Sequence, residues 1–441
     1  MASLYYEPEM EGLTYPDQDA HQDPDYDYDD SDMETISSAS TAQTTSTITS
    51  EEIGDYFREA YGRTYAHDEN LPMLYPIDEV EARRHEMQHV FLKALVHGNY
   101  IGPVPHLLRP RADGSRPRIL DIRTCTGNWC APLTPPIHQL SNKNANQLIR
   151  AQEMAAEFPH CDIVSIDIAP IVPHAPRPNI TFEIYDLYAG VAEPDESFDY
   201  VSCRHIQLHV GTMSRFSCVK WYLRIAGNPG GLITICEVEN QCYEAEPPFN
   251  MHAYVRTMPV AAEAIQVLRA AIMKQGINLN AIHHIEEWLH PNSSFWGQTA
   301  KTYDIPPSRA KIASQGFRDI QKQVVLMPVG TWHPDPAVQQ VGDLISRGFA
   351  LAWRQLEPAM IDYGSSPEEA NRLCAGSIAA YENTNLRVVE LSECIPINRG
   401  SQGYMRRQGI PPDQEDRDNG SPVFRVNAIF VATNRPVIDA A

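Results

Sequence analysis

Short apolar runs separated by helix-like patterns fill the middle of this chain. Arg118–Ile122, Asp162–Asp167 (DIVSID), Ile180–Tyr185 (ITFEIY), Phe198–Cys203 (FDYVSC) and Leu232–Val238 (LITICEV) each have the length and apolar content of a buried strand. Helical spacing lies between several of them, notably at Met154–Phe158 and Arg215–Ile225. Strands alternating with helices predict a parallel sheet built by crossover connections. Val324–Met327 reads as a sixth strand and Phe424–Ala432 as a final one. The last is reached only after two helices, so it is expected to lie antiparallel between its neighbours.

Other periodic stretches flank this core. Val80, Met87, Val90, Phe91, Ala94 and Leu95 recur at helical spacing, with Asp78 and Glu81 placed as a capping box and Gly98 as the stop. Ahead of that helix, Gly62-Arg63-Thr64-Tyr65 suits either a cover over a pocket or a loop pinning the helix to the body. Ala261, Ile265, Leu268 and Ile272 form a further helix face, closed by Gly276. Asp335 and Pro336 open a helix with the stripe Val338, Val341, Ile345, Phe349 and Ala352. Ser366-Pro367-Glu368-Glu369 opens another as a capping box.

Residues 277–316 carry His283, His284, Trp288, His290 and Trp296 among Asn, Ser and Pro. An irregular surface excursion is the favoured reading, and no metal is expected. Residues 396–421 read as a loop. Residues 1–50 hold an Asp-rich run and a Ser/Thr tract, with too little aliphatic content to offset the entropy of ordering. They are expected to be a solvated tail, the sharper alternative being a phosphorylatable docking arm. The organisation is therefore a 1–50 tail, a 51–110 N-terminal helical cap and a 111–441 α/β domain. Extra segments fall near 130–152, 277–316 and 396–421.

Bulk properties narrow the chemistry. The chain has 441 residues and a net charge of −22, a field that repels phosphate backbones, so direct nucleic-acid binding is not expected. Its nine cysteines form no CxxC pair, and Cys125 with Cys130 lacks a second pair to complete a zinc site. Reduced thiols suit an intracellular protein, cytoplasmic, nuclear or both. No transmembrane span or secretory signal is read, so no membrane association is expected.

The candidate chemistry centres on Arg118 to Trp129, where the first strand breaks into small polar residues ending at Gly127. Such a turn presents backbone N–H groups to a ligand. Asp121 lies in the first strand. Asp167 closes the second, where a carboxylate can accept from ribose hydroxyls. Asp186 follows the third, where it can accept from an adenine amine. The order of glycine turn, ribose acid and base acid describes an adenosine-bearing ligand.

Several stretches together resemble the class I S-adenosylmethionine-dependent methyltransferases, and more closely the fungal LaeA-like family. They are GRTY at 62–65, YPIDEVE at 75–81, ILDIRTCTGNW at 119–129, the run from Glu157 to Ile171, PNITFEIYDL at 178–187, FDYVSCRHI at 198–206, NPGG at 228–231 and PVGTW at 328–332. The resemblance implies a Rossmann-like class I methyltransferase fold with a helical N-terminal extension. Its sheet would be seven-stranded and mostly parallel with an antiparallel last strand. The implied cofactor is S-adenosyl-L-methionine, lined by Asp121, Ile122, Arg123, Thr124, Cys125, Gly127, Asp167, Ile168, Asp186, Leu187 and Arg204. No catalytic base is implied. The family's role implies regulation of secondary metabolism or development. Expected partners are a small-molecule or protein methyl acceptor, and regulatory proteins or another methyltransferase-like subunit.

Two departures stand out. Arg123 and Cys125 replace the first two glycines of the family's turn, where close ligand approach needs no side chain. From Gly127 to Asp167 is forty residues, against roughly twenty in dinucleotide folds. The excess falls in Cys130–Gln152, whose prolines interrupt the helix expected after the turn. An insertion, a decayed site and a retained intron each account for it. Two functions follow: an active methyltransferase, or a catalytically impaired one acting as a regulatory binding partner. A nicotinamide-dependent oxidoreductase is disfavoured, because GxGxxG is absent.

Overall fold

The computed structural model describes residues 52–67, 75–122, 150–168, 177–184, 197–206, 231–245, 257–274, 277, 279, 283–285, 317–318, 320 and 323–399. All lie in the unit Ile48–Ala441. β1 (Phe57–Ala60) and β2 (Arg63–Ala66) form an antiparallel hairpin, so the N-terminal extension is not purely helical. Its turn, Tyr61-Gly62, holds both φ angles positive, at 52° and 68°. That turn matches the twist of paired strands, and glycine takes its second position without a Cβ penalty.

Helix α1 (Glu79–Leu95) starts at Asp78, whose carboxylate accepts from the N–H groups of Val80 and Glu81. Glu81 does not close the expected capping box. Its carboxylate is buried against Arg84, His85 and Gln355. This rotates the buried face to Glu81, His85, Phe91 and Leu92, and leaves Val80 exposed. At the far end His97, not Gly98, takes the left-handed conformation, with φ 59°. The hairpin pins this helix: Arg63 donates to Asp78 and, at 3.0 Å, to Gln355.

A short helix α2 (Val104–Leu107) leads to β3 (Arg118–Ile122), α3 (Arg150–Glu157), β4 (Asp162–Asp167), β5 (Ile180–Ile184), β6 (Tyr200–Arg204) and β7 (Leu232–Glu244). Then come α4 (Pro259–Lys274), β8 (Phe317–Arg318), β9 (Gln323–Val329), α5 (Pro336–Trp353), α6 (Glu357–Asp362), α7 (Pro367–Tyr381) and β10 (Val388–Arg399). The eight-stranded sheet runs β5-β4-β3-β6-β7-β10, with β8 and β9 both on the outer side of β10. β3 to β7 are parallel, and β10 is antiparallel to every strand it pairs with. β8 and β9 are two pieces of one broken edge, so the sheet has seven positions.

The antiparallel strand is therefore Val388–Arg399. Phe424–Ala432, expected in that role, lies outside the described residues. Residues 396–399, expected as loop, finish β10. Pro396 disguises that strand. No residue of β8 or β9 is registered against it, so its missing N–H leaves no bond unmade on that side. β7 also outruns its expected end at Val238, because Glu237, Glu239, Asn240 and Gln241 hide its continuation.

One core layer joins Ile119, Ile163, Tyr200 and Leu232 of the sheet to Ala151, Met154, Ala155 and Phe158 around α3. A second core lies where α1, α4, α5 and α7 meet β9 and β10, around Phe91, Met327, Ile345, Leu373 and Val388. Here the PVGTW glycine has a purpose. Gly330 has φ 96°, and a Cβ on it would lie 2.2 Å from the Leu386 carbonyl oxygen. A Cβ on Gly342 of α5 would lie 2.0 Å from the Gly330 carbonyl oxygen. Among the described residues, no helix is long and apolar enough to cross a membrane.

Candidate functional site

The parallel strands end on one edge of the sheet. From β3 the order steps one way to β4 and β5 and the other way to β6 and β7. Such a reversal opens a crevice above the carboxyl ends of the flanking strands, where open α/β sheets bind ligands. Asp121 of β3 and Arg204 of β6 stand on the two strands flanking it.

Strand register stacks this face in layers. The lowest is apolar, with Ile119 beside Ile163 and Tyr200, and Tyr200 beside Leu232. Two residues higher, Ser165, Asp121, Ser202 and Thr234 form a continuous row across four strands. All four are buried. Higher again come Asp167 at the end of β4, Arg204 at the end of β6, and Cys236 directly across from Arg204.

Arg150 enters the polar row from the first turn of α3. Its guanidinium donates to the Asp121 carboxylate and to Ser202 Oγ. Ser165 Oγ donates to the other Asp121 oxygen at 3.2 Å. Asp121 is thus paired with an internal cation and accepts on both oxygens inside the protein. Burial, and then the positive charge of Arg204, pull the Arg150 guanidinium down to about 9, still charged at neutral pH. The helix also ties to α1: Glu153 accepts from His89 at 3.1 Å and from Lys93 at 2.8 Å. Burial favours the neutral form of His89 and outweighs Glu153, so His89 titrates below its ordinary value.

Arg204 is only 8% exposed. One Nη donates to the Asn99 carbonyl oxygen at 2.6 Å, whereas its Nε has no hydrogen-bond partner. Among the described residues no carboxylate pairs with it. Thr234 Oγ1 and Asn99 Oδ1 are likewise buried without a partner.

Of the residues singled out from sequence, Asp121, Asp167, Ile168 and Arg204 share this rim. Asp167 Oδ1 accepts from the Ile168 N–H at 2.8 Å. Ile122 alternates to the opposite face of β3 and is buried there, so only its backbone can meet the rim. Arg123, Thr124, Cys125, Gly127, Asp186 and Leu187 lie outside the described residues. Arg150 was not singled out, because the polar segment before it masked the helix start. The stripe Ala151, Met154, Ala155, Phe158 at helical spacing was the available signal.

No family model matches the chain. "Methyltransferase pytC" of Aspergillus terreus is 24% identical over 323 residues, covering 72% of this chain and 80% of that protein. "Secondary metabolism regulator laeA" of Coprinopsis cinerea is 23% identical over 247 residues, 54% of each. A solved S-adenosylmethionine-dependent methyltransferase from Archaeoglobus fulgidus superposes with a TM-score of 0.32 at 12% identity, covering 73% of this chain and all of that one. A likeness of that size carries no argument. The sheet order, with one antiparallel strand inserted before the edge, sets the chain apart from the all-parallel nicotinamide-binding sheet. The chain is thus similar in sequence to LaeA-like regulators and to a methyltransferase, and it carries a Rossmann-like α/β sheet.

Proposed function

We propose that this protein is an S-adenosylmethionine-dependent methyltransferase acting on a small-molecule or protein acceptor. Its named relatives suggest a role in regulating secondary metabolism or development. The observation that carries the reading is the switch-point rim, where Asp121, Asp167 and Arg204 gather above the central strands. In this reading Asp167 accepts from ribose hydroxyls and Asp186 from the adenine amine. Residues 123–127, Ile168 and Leu187 complete the cofactor lining that the resemblance implies. S-adenosylmethionine bound there would supply an activated methyl group. The chain contributes positioning and exclusion of water rather than a general base.

Calorimetric titration with S-adenosylmethionine tests this. Saturable heat in the micromolar range is expected, and a folded protein silent at millimolar ligand refutes it. A second reading, an impaired methyltransferase acting as a regulatory partner, is favoured by one observation: Arg150 already occupies the Asp121 carboxylate. Arg123 and Cys125 in the turn agree with it. Under that reading the wild type is silent, and Arg123→Gly with Cys125→Gly restores binding.

A further inference from the structure

The carboxyl end of β7 carries chemistry that the cofactor reading does not use. Cys236 is registered against Arg204, the last residue of β6, so Glu237 and Glu239 stand above the carboxyl edge of the parallel strands. Both are buried, and their tasks differ. Glu237 Oε1 accepts from the Ile206 N–H at 2.8 Å, which fixes the chain leaving β6 just after His205, a non-glycine residue at φ 53°. That carboxylate is committed to backbone. Glu239 accepts from the Tyr243 hydroxyl at 2.8 Å, and His283 Nε2 stands 3.8 Å from the same oxygen. A hydroxyl and an imidazole can turn aside for a ligand, as a backbone amide cannot. A bulge also takes Glu239 out of the ladder: between Val238 and Cys242, three residues of β7 stand against Leu391 alone of β10. Bulges beside active sites re-aim a side chain. Tyr243 packs with Ala245 against Trp332, whose indole N–H is held by the Val329 and Val388 carbonyl oxygens. His283 is 23% exposed and gives the cluster a solvent side. A buried carboxylate beside a tyrosine and a tryptophan is the chemistry that receives an amine or ammonium group. The net charge of −22 draws cations toward it.

We infer that Glu239 receives the methyl acceptor by an amine group, with Tyr243 holding the carboxylate and His283 and Trp332 flanking it. This rests on the proposed methyltransferase reading and adds to it the chemical class of the acceptor. Glu239 acts by binding, accepting hydrogen bonds from the acceptor's N–H groups, and no bond to it forms or breaks. A free amine is nucleophilic without a base, in keeping with a chain that supplies positioning.

Benzylamine is the probe, and benzyl alcohol is its neutral counterpart of the same shape. Each is titrated at neutral pH, without cofactor, into the full chain and into Glu239→Gln, with tryptophan fluorescence as the readout. Benzylamine should bind the wild type saturably at millimolar concentration and the variant roughly tenfold more weakly, while the alcohol binds the wild type less well than the amine and changes less than about twofold between the two proteins. The inference is overturned if benzylamine binds the wild type no better than the alcohol does, or does not bind it at all. Undiminished binding to Glu239→Gln, or an equal loss for both probes, overturns it too. Glu239→Asp, which withdraws the carboxylate by one carbon, replaces Glu239→Gln in the same series if the latter does not fold, and the same outcomes apply. The separate titration with S-adenosylmethionine reads the donor side alone. Silence there beside normal benzylamine binding fails the methyltransferase reading, whereas heat there without benzylamine binding fails only the amine site.

Discussion

Glu81 is the most exacting test of how the N-terminal cap is held. It is 1% exposed. Arg84 donates to its two oxygens at 2.8 and 2.6 Å, and Gln355 Nε2 donates at 2.7 Å. His85 Nε2 lies 3.0 Å away. Burial alone would raise this carboxyl, but Arg84 and His85 outweigh it and hold Glu81 far below the usual carboxylate range. Glu81→Leu removes one side of a buried ion pair and strands the other, so it should cost about 3–5 kcal/mol at pH 7. The sign with pH follows from proton uptake. Below the ordinary carboxylate value the unfolded chain binds a proton at residue 81, and the folded wild type does not. Wild-type stability from this group is therefore full above about pH 4.5 and lost as pH falls, by about 1.4 kcal/mol per unit. Urea unfolding followed by tryptophan fluorescence at pH 7, 4.5 and 3.5 measures it. The gap between wild type and variant should shrink by about 1 kcal/mol from pH 4.5 to 3.5, because the unfolded carboxyl is already half protonated at the start. A constant gap, or one under about 1 kcal/mol at pH 7, refutes the pairing argument.

Two glycines of one helix should respond oppositely. Gly342→Ala drives a Cβ into the Gly330 carbonyl and should cost about 3 kcal/mol, whereas Gly348→Ala meets only Phe91 at 3.9 Å and should gain up to about 1 kcal/mol. Urea midpoints that move together contradict the close-approach reading. Arg63→Ala breaks the links to Asp78 and Gln355 and should cost about 2 kcal/mol, with limited proteolysis cutting first near the hairpin; unchanged cleavage argues against the clamp. Ser366→Ala should cost about 1 kcal/mol and no more, because Glu369 turns to Arg372 instead of closing the capping box. Deleting 130–149 keeps Arg150, Ala151 and Gln152, while deleting 130–152 strands Asp121. The longer deletion should be less stable by about 3–5 kcal/mol, and equal midpoints would place the fold's own boundary beyond Gln152.

What could be read from the chain was whatever one element decides for itself. β3 to β6 are apolar runs between polar punctuation, and they stand within two residues of expectation. The Asp335 cap with Pro336 is present because a cap needs only its own first turn. The two capping boxes are half present for the same reason. Asp78 and Ser366 serve their helices, but Glu81 and Glu369 find arginines one turn on, a competition that spacing alone does not resolve. β10 was hidden because a strand sheltered between β7 and a broken edge can hold a proline and several polar residues. The polar layer lay deeper still. Ser165, Asp121, Ser202 and Thr234 are ordinary mid-strand residues of four separate segments, and only parallel register aligns them. Once aligned, they exclude any apolar helix face from sitting above them. α3 accordingly buries Ala151, Met154 and Ala155 on the layer below and sends Arg150 up into the row. That choice saturates Asp121, the acid the sequence pointed to first. Among the described residues Arg204, two residues higher and one strand over, is left without a carboxylate.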